Sequence, residues 1–337
     1  MNTVELVKTL SKAYGPSGWE GEVRETIKSI AEPMGFECRT DALGNLICRK
    51  APVNSLDTAP QKLLMAAHMD SLGLMVTRIT DKGYLKFGRL GYIDPMNIVG
   101  LPVRFKNGTT GTIHANSGTK AADLSFDNLY IDLGCGSKDE AEKYVKVGDA
   151  AVFDSPCYVS GNGKYITGPY MDDRACCAMM LLAMEQLEET ANDLYFVFTV
   201  QEEVGTRGAQ TAGYGVDPDM AFIFDVTDSN DVPGGEADAT CCTGKGPAVM
   251  IMDSSVICHP AVVEHIEKTA KELKLKVQKD VCLAGGTDGG PIHMTRGGVP
   301  TGGVSLPLRY MHSPQEMACI KDIEDGAKLI AAAVCRA

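Results

Sequence analysis

The pattern of apolar and polar residues changes at two places along the sequence, and these changes limit the folds that the chain can adopt. Up to about residue 71, and again from about residue 165, apolar strand-like runs such as 62–67 alternate with helical patterns such as 174–189. Between them, short alternating stretches are separated by turn sequences such as Asn107-Gly108. We therefore predict two domains, one formed by 1–71 and 165–337 and the other inserted at 72–164.

The regular elements outside the insertion predict the fold class. Strands that alternate with helices form largely parallel sheets with helices on both faces. We expect an α/β domain with a mostly parallel sheet flanked by helices, and we expect the insertion to be a small β-barrel. The predicted elements are helices at 4–14, 21–33, 174–189, 260–273 and 320–334, a hairpin within 37–50, and strands at 62–67, 194–200, 220–224 and 299–306.

Composition excludes several classes of function. The 44 acidic and 32 basic residues among 337 give a net charge of −12, which repels phosphate backbones and anionic lipids, so we expect neither nucleic acid nor membrane as a partner. The first residues lack the apolar core of a signal peptide, and we expect a cytoplasmic protein. The twelve cysteines, including Cys176 and Cys177, are expected to be free thiols packed in the core.

Histidines and carboxylates follow the predicted strands, at the point where each strand ends. Ligands of open α/β sheets bind outside the carboxyl ends of the strands, so these side chains are expected to share one edge of the sheet. They are His68 and Asp70 after 62–67, Glu202 and Glu203 after 194–200, Asp225 after 220–224, His312 beyond 299–306, and Asp172 directly before the helix at 174–189.

Taken singly, these residues have ordinary explanations: Asp172 could cap its helix, and Glu202 and Glu203 could form a solvated loop. Taken together, two histidines and three carboxylates offer the nitrogen and oxygen donors that suit zinc, cobalt or manganese, whereas calcium prefers oxygen alone. Two such ions about 3.5–4 Å apart can share one carboxylate and one water. Adjacent glutamates point in opposite directions in extended chain, so one can bind metal while the other accepts a proton.

Six motifs, in order along essentially the whole chain, resemble the tetrahedral aminopeptidase family. This family comprises dinuclear-metal peptidases and includes glutamyl, lysyl and deblocking aminopeptidases. The motifs are Ala67-His68-Met69-Asp70, Met171-Asp172-Asp173-Arg174, the segment from Val200 to Ala209 that contains Glu202 and Glu203, Asp225-Val226-Thr227, Gly286-Thr287-Asp288, and the segment from Gly298 to Pro314 that contains His312.

The resemblance implies a zinc-exopeptidase-like fold and a role for each candidate. It implies that Asp172 bridges the two metals, that His68 and Asp225 complete one metal site, and that Glu203 and His312 complete the other. Glu202 would be the general base, and Asp70 would orient His68. It further implies two divalent ions per chain, with zinc favoured over cobalt or manganese, and a dodecamer built from dimers through the domain at 72–164.

The activity implied is removal of the first residue from short peptides with a free amino terminus, by a hydroxide that bridges the metals. Asp288 is a candidate rim residue for the substrate ammonium, although an aspartate in such a context more often stabilises a turn. Two other functions stay open at this point. The same metals could serve a deacylase of N-acylated amino acids, or the chain could be an inactive scaffold. A glycosidase would leave the two histidines without a purpose.

Overall fold

A computed structural model of the chain describes residues 1–53, 60–235 and 240–337. Its helices are α1 (Thr3–Lys12), α2 (Gly21–Ala31), α3 (Lys138–Ala141), α4 (Met171–Glu185), α5 (Arg207–Val216), α6 (Pro260–Glu272), α7 (Gly289–His293) and α8 (Ile320–Arg336). Its strands are β1 (Glu37–Thr40), β2 (Leu46–Lys50), β3 (Lys62–His68), β4 (Gly73–Ile79), β5 (Leu85–Leu90), β6 (Pro102–Phe105), β7 (Thr110–Ala115), β8 (Leu129–Asp132), β9 (Ala150–Phe153), β10 (Tyr158–Val159), β11 (Tyr165–Gly168), β12 (Asp193–Thr199), β13 (Met220–Asp228), β14 (Ala248–Met252), β15 (Gln278–Val281), β16 (Thr301–Arg309) and β17 (Glu316–Cys319).

The strands outside the barrel form one large sheet with the order β1-β2-β12-β3-β13-β16-β17-β11-β10, and β14 and β15 pair beside β16. Its four central strands, β12, β3, β13 and β16, run parallel to one another. Antiparallel strands extend both margins. The predicted α/β class with a mostly parallel sheet is therefore confirmed.

The continuous apolar run in β3 results from burial on both faces of the sheet. Leu63 and Met65 pack in the main core with residues of α1, α4 and α8. Leu64 and Ala66 point the other way and pack with residues of α5 and α7. Since neither face meets water from Leu63 to Ala67, no position there favours a polar residue until the strand ends at His68.

A cleft opens where β3 and β13 separate. The two strands pair only as far as Ala66 and Ile223, whereas β3 stays paired with β12 through His68 and Thr199. The chain passes from β3 to β12 on one side and later to β13 on the other side, which makes this gap a switch point of the sheet. Asp225 lies inside β13, which runs on to Asp228, and not after a strand ending at Phe224 as predicted.

Six strands of the inserted region close into an antiparallel barrel with the order β4-β5-β8-β7-β6-β9. Its interior is a separate apolar core, in which residues such as Leu74, Val103 and Ile113 are buried. The predicted small barrel is confirmed. That the segment 72–164 serves dimerisation and assembly stays a prediction.

A buried arginine ties the amino terminus to α4, the helix that begins at the candidate site. Arg174 is fully buried, and its guanidinium donates hydrogen bonds to the carbonyl oxygens of Leu10 (2.7 Å), Ala13 (3.3 Å) and Gly15 (3.0 Å). A Cβ atom on Gly15 would lie 2.9 Å from this guanidinium, so the turn after α1 requires glycine. The end of α1 and the start of α4 are thus held in one fixed arrangement.

Most of the predicted elements lie where the periodicity placed them, including the hairpin of β1 and β2. The elements that the sequence did not predict include α5, α7, β14, β15 and β17, all of which lie in the second half of the chain. Within the described residues, none of the helices has the length and apolarity that crossing a bilayer requires. The twelve cysteines are free thiols, but only six of them are buried, and the other six are partly exposed and not fully packed in the core as predicted.

Candidate metal centre

The five predicted metal ligands converge on the cleft between β3 and β13 and form two groups. His68, Asp172 and Asp225 each offer a ligand atom within 4.8 Å of the others, and so do Asp172, Glu203 and His312. The residues come from the end of β3, the start of α4, the loop after β12, the strand β13 and the turn between β16 and β17. Asp172 is the member that the two groups share.

Asp172 presents one carboxylate oxygen to each histidine. Its Oδ1 lies 2.9 Å from Nε2 of His68, and its Oδ2 lies 3.1 Å from Nε2 of His312. Burial alone would raise the pKa of Asp172, but the hydrogen bonds with His312 and His68 lower it below its ordinary value. The carboxylate therefore stays charged between the two rings, in the position that a bridging ligand requires.

The other two carboxylates lie farther from the histidines. Asp225 Oδ1 is 4.0 Å from Nε2 of His68, and Glu203 Oε2 is 3.7 Å from Nε2 of His312. Burial, together with the charge of Asp172, raises the pKa of both Asp225 and Glu203 well above the ordinary range. Among the described residues, Oε1 of Glu203 is buried without a hydrogen-bond partner. Bound cations would offset the repulsion between carboxylates crowded in this way, so the donor set fits divalent metal.

Asp70 connects the first histidine to the glutamate pair. Its buried carboxylate accepts hydrogen bonds from the backbone N–H of Glu202 (2.9 Å) and of Glu203 (3.3 Å), and from Oγ of Ser17 (2.6 Å). Its Oδ1 is also 3.4 Å from Nδ1 of His68, within ion-pair distance. Asp70 is thus placed to fix both the ring of His68 and the loop that carries Glu202.

Glu202 lines the cavity beside the ligands and belongs to neither ligand group. Burial raises the pKa of its carboxyl well above the ordinary value, His68 opposes this shift, and the charges of Asp225 and Asp288 add to it. A carboxyl whose pKa is raised holds a proton more readily than an exposed one, which suits a group that accepts and returns a proton. Asp288 is not at the rim as suggested by the sequence, because it is buried and accepts a hydrogen bond from Oγ1 of Thr199.

Glu316 is a structural member of the site that the sequence did not reveal. Its carboxylate is buried and accepts the backbone N–H groups of Asp172 (3.0 Å) and His312 (2.8 Å). Burial and the charge of Asp172 raise the pKa of Glu316, while these two hydrogen bonds oppose the rise. The one available signal was a single acidic residue in the otherwise uncharged stretch that follows His312.

Two residues of α4 hold the backbone of His68. The N–H of His68 donates to Oδ2 of Asp173 (3.2 Å), and its carbonyl oxygen accepts from Sγ of Cys177 (3.1 Å). Cys176 and Cys177 are fully buried in the main core, as expected. Among the residues that the structure describes, neither cysteine belongs to a candidate metal group.

A cavity of about 410 Å³ opens onto the ligands. One wall includes Tyr92 of the barrel, whose part in the site the sequence gave no sign of. The lining also includes three further carboxylates, Asp228, Asp253 and Asp280, beside apolar side chains such as Met250, and none of its described residues is lysine or arginine. The charged side chains of the described lining, apart from the histidines, are therefore all acidic.

Comparison with known proteins finds close relatives over the full length. A protein of Acetivibrio thermocellus, provisionally named an aminopeptidase, is 40% identical over 332 residues, which cover 98% of both chains. The solved structure of an aminopeptidase from the archaeon Desulfurococcus kamchatkensis is 34% identical, with a TM-score of 0.94 over 99% of this chain and 95% of that one. The TET1 peptidase of Pyrococcus horikoshii, described as assembling into a tetrahedron or a large octahedral shell, is 30% identical with a TM-score of 0.87 over 99% of both chains.

The fold, the site and these relatives define the chain as a hydrolase of the aminopeptidase class. More narrowly, it belongs to the M42 glutamyl aminopeptidase family, whose model matches residues 44–329. M42 peptidases are metal-dependent. The resemblance to tetrahedral aminopeptidases is confirmed, whereas the roles of single residues, the number of metals and their identity stay predictions.

Proposed function

We propose that this aminopeptidase uses two divalent metal ions per chain. One ion would be held by His68, Asp172 and Asp225, and the other by Asp172, Glu203 and His312. The observation that carries this proposal is the position of Asp172, whose two oxygens lie 2.9 and 3.1 Å from two different histidines. An aspartate that only capped α4 would accept backbone N–H groups, whereas in the described part of the chain this carboxylate is hydrogen-bonded to the two histidine rings.

Zinc, cobalt and manganese all suit ligands of this kind, with zinc favoured. When bound, the metal pair would polarise the scissile carbonyl and lower the pKa of the attacking water. The chain's own groups would then keep the ligands in place. Asp70 orients the ring of His68 from the side away from Asp172, at 3.4 Å.

Glu202 is proposed as the general base, which takes the proton of the attacking water and returns it to the leaving amine. Its place on the cavity wall, its raised pKa and the fixation of its backbone by Asp70 support this role. Replacing it as Glu202→Gln keeps the shape but removes the proton acceptor, and should lower kcat by about 10²–10⁴. The metal content should stay that of the parent. Loss of metal from this variant would instead make Glu202 a ligand.

The substrate is proposed to be a short peptide with a free amino terminus. Its ammonium would enter a cavity lined by Asp228, Asp253 and Asp280 as well as the ligand carboxylates, without a competing lysine or arginine among the described lining residues. Acetylation removes that charge and leaves a carboxylate without its partner, at a cost of about 2–5 kcal/mol for a buried pair. A deacylase of N-acylated amino acids would have the opposite preference.

The test compares a dipeptide amide with its N-acetylated twin at equal concentration, with the metal-loaded enzyme. The free amine should be cleaved faster by at least about 30-fold, which corresponds to the lower limit of about 2 kcal/mol. Equal rates, or faster cleavage of the acetylated twin, would contradict the proposed substrate and favour the deacylase. If neither compound is cleaved while metals are bound, the chain is an inactive scaffold.

We also propose that the segment 72–164 is the domain through which copies of the chain form dimers and then a dodecamer. A tetrahedron with one dimer on each of its six edges contains twelve chains, and the TET1 relative is described as forming a tetrahedron. The barrel supports an assembly role because it is a closed sheet with an apolar interior, which Tyr14 and Tyr170 of the other domain also join, and its outer surface can meet a neighbouring copy. Light scattering should give a mass near twelve chains, and a strict monomer at micromolar concentration would contradict the proposal.

A cytoplasmic location is proposed as well. All twelve cysteines are free thiols, as expected of a protein that stays in a reducing compartment. Fractionation of the source cells would test it, and recovery of the protein outside the cytoplasm would contradict it.

A further inference from the structure

The two ligand groups differ in which part of the fold surrounds them. His68, Asp172 and Asp225 lie on β3, α4 and β13, all within the large sheet and its helices. Glu203 and His312, in contrast, lie next to a turn of the barrel, which follows β5 and consists of Gly91 and Tyr92. We call Gly91 and Tyr92 the barrel turn.

Gly91 packs directly against Glu203. It has a φ of 81°, and a Cβ atom built on it would lie 3.0 Å from Oε2 and 3.2 Å from Cβ of Glu203, and would also overlap Cδ2 of Leu72. Among the described residues, Oε1 of Glu203 is buried without a hydrogen-bond partner. The close approach of Gly91 therefore limits where this carboxylate can lie.

Tyr92, the other residue of the barrel turn, lies beside His312. The centroids of the two rings are 6.1 Å apart, and the ring planes are tilted by 41° to each other. The Tyr92 ring is 63% exposed, but the guanidinium carbon of Arg89 lies 5.5 Å from its centroid and restrains it.

His312 has particular need of such a restraint. Its side chain is 28% exposed, whereas the side chains of the four other proposed ligands are at most 10% exposed. It also lies in a turn between β16 and β17 with a φ of 59°, outside any strand or helix. Asp172 holds the ring at Nε2, whereas Glu316 holds only the backbone N–H of His312. The barrel turn lies beside the ring and can restrain it further.

We propose that the barrel turn is a positioning segment for Glu203 and His312, so that one of the two metal positions is completed by the barrel and depends on where the barrel lies. This inference rests on the proposed two-metal function. Displacing the turn should weaken the metal held by Asp172, Glu203 and His312. The metal held by His68, Asp172 and Asp225 should stay bound.

The test is the variant Gly91→Ala, with Gly108→Ala as a matched control. Gly108 lies in another barrel turn, between β6 and β7, and has a similar φ of 86°, but a Cβ atom there would have no other atom within 4 Å. Both variants therefore carry a similar backbone strain, and only Gly91→Ala also crowds its neighbours, which are Leu72 and Glu203. Each full-length protein is stripped with a chelator, and zinc binding is then measured by equilibrium dialysis.

The parent and Gly108→Ala should bind two zinc ions per chain with the same affinities. Gly91→Ala should bind one ion as the parent does and the second about 10–100-fold more weakly, the usual effect of losing a residue that orients a ligand. Two ions bound with parental affinity by Gly91→Ala, equal weakening of both ions, or the same loss in Gly108→Ala would each overturn the inference. Fewer than two ions on the parent would contradict the two-metal function itself.

A second variant keeps the test decisive if Gly91→Ala does not fold. Tyr92→Ala removes an exposed ring, a change that the fold should tolerate, and frees the turn beside His312. It should weaken the second zinc ion by about tenfold while leaving the first unchanged. Parental affinity for both ions in Tyr92→Ala would overturn the inference.

Discussion

Replacing Glu316 with glutamine tests whether this buried carboxylate holds the site together. In the parent it accepts two backbone N–H groups, from Asp172 at 3.0 Å and from His312 at 2.8 Å. Glutamine has one acceptor oxygen, so its amide N–H₂ must face the second backbone N–H. The variant Glu316→Gln thus loses one hydrogen bond and leaves one buried donor opposed to another donor.

The magnitude follows from these two contacts. A hydrogen bond to a charged group contributes about 1.5–3 kcal/mol, and a buried donor left unsatisfied costs about 1–3 kcal/mol. Loss of the negative charge near Asp172 relieves some repulsion, since that charge is one cause of the raised pKa of Glu316. We expect a net loss of about 2–4 kcal/mol in the free energy of unfolding, within the range for breaking a buried network. Because Asp172 and His312 both shift, zinc affinity should fall by about 10–100-fold.

The assay is denaturant unfolding of the metal-loaded protein, with zinc affinity measured by competition with a chromogenic chelator. Glu22→Gln is the control, because Glu22 is an exposed glutamate on α2. A free energy of unfolding for Glu316→Gln within about 0.5 kcal/mol of the parent, as for a surface substitution, together with unchanged zinc affinity, would refute the reasoning.

Two further changes have separate readouts. Arg174→Met removes the donor to three buried carbonyl oxygens and should lower the free energy of unfolding by about 3–5 kcal/mol without changing metal stoichiometry; an unchanged stability would contradict the packing argument. In the metal-free protein, thermal stability should fall as pH rises from about 5 to 8. Folding raises the pKa of Glu203 and Asp225, so above the ordinary pKa of these groups the folded state binds more protons than the unfolded state. His68 and His312, whose pKa is also raised, act in the same direction, while Asp172 is ionised in both states over this range. Zinc should remove most of this slope, and a metal-free protein that is more stable at pH 8 than at pH 5 would contradict the proposed electrostatics.

The residues that sequence could place at the site are those whose position follows from strand ends. His68 ends a strand that is apolar on both faces, so the change to polar residues marks both the end of β3 and the start of the site. Asp225 was correctly predicted to lie at this edge of the sheet, but the prediction assumed that its strand ends at Phe224. It lies within β13, and it is accessible because β3 and β13 stop pairing two residues earlier.

The residues that sequence missed depend on contacts between distant segments. Glu316 and Tyr92 reach the site through turns whose direction no local pattern encodes. Asp288 shows the converse, since its motif was recognised but its side chain is buried against Thr199 and not at the rim. Strand periodicity predicts which edge a residue occupies, and tertiary packing decides whether its side chain meets the substrate.

The most direct test of the two-metal site is the metal content of Asp172→Ala beside that of the parent, measured after zinc loading and gel filtration. Asp172 is the residue shared by both ligand groups, and its oxygens face His68 and His312 separately. The parent should carry two zinc ions per chain. Asp172→Ala should lose both and with them the peptidase activity. Two ions retained by a folded Asp172→Ala protein would contradict the bridging role and the two-metal site built on it.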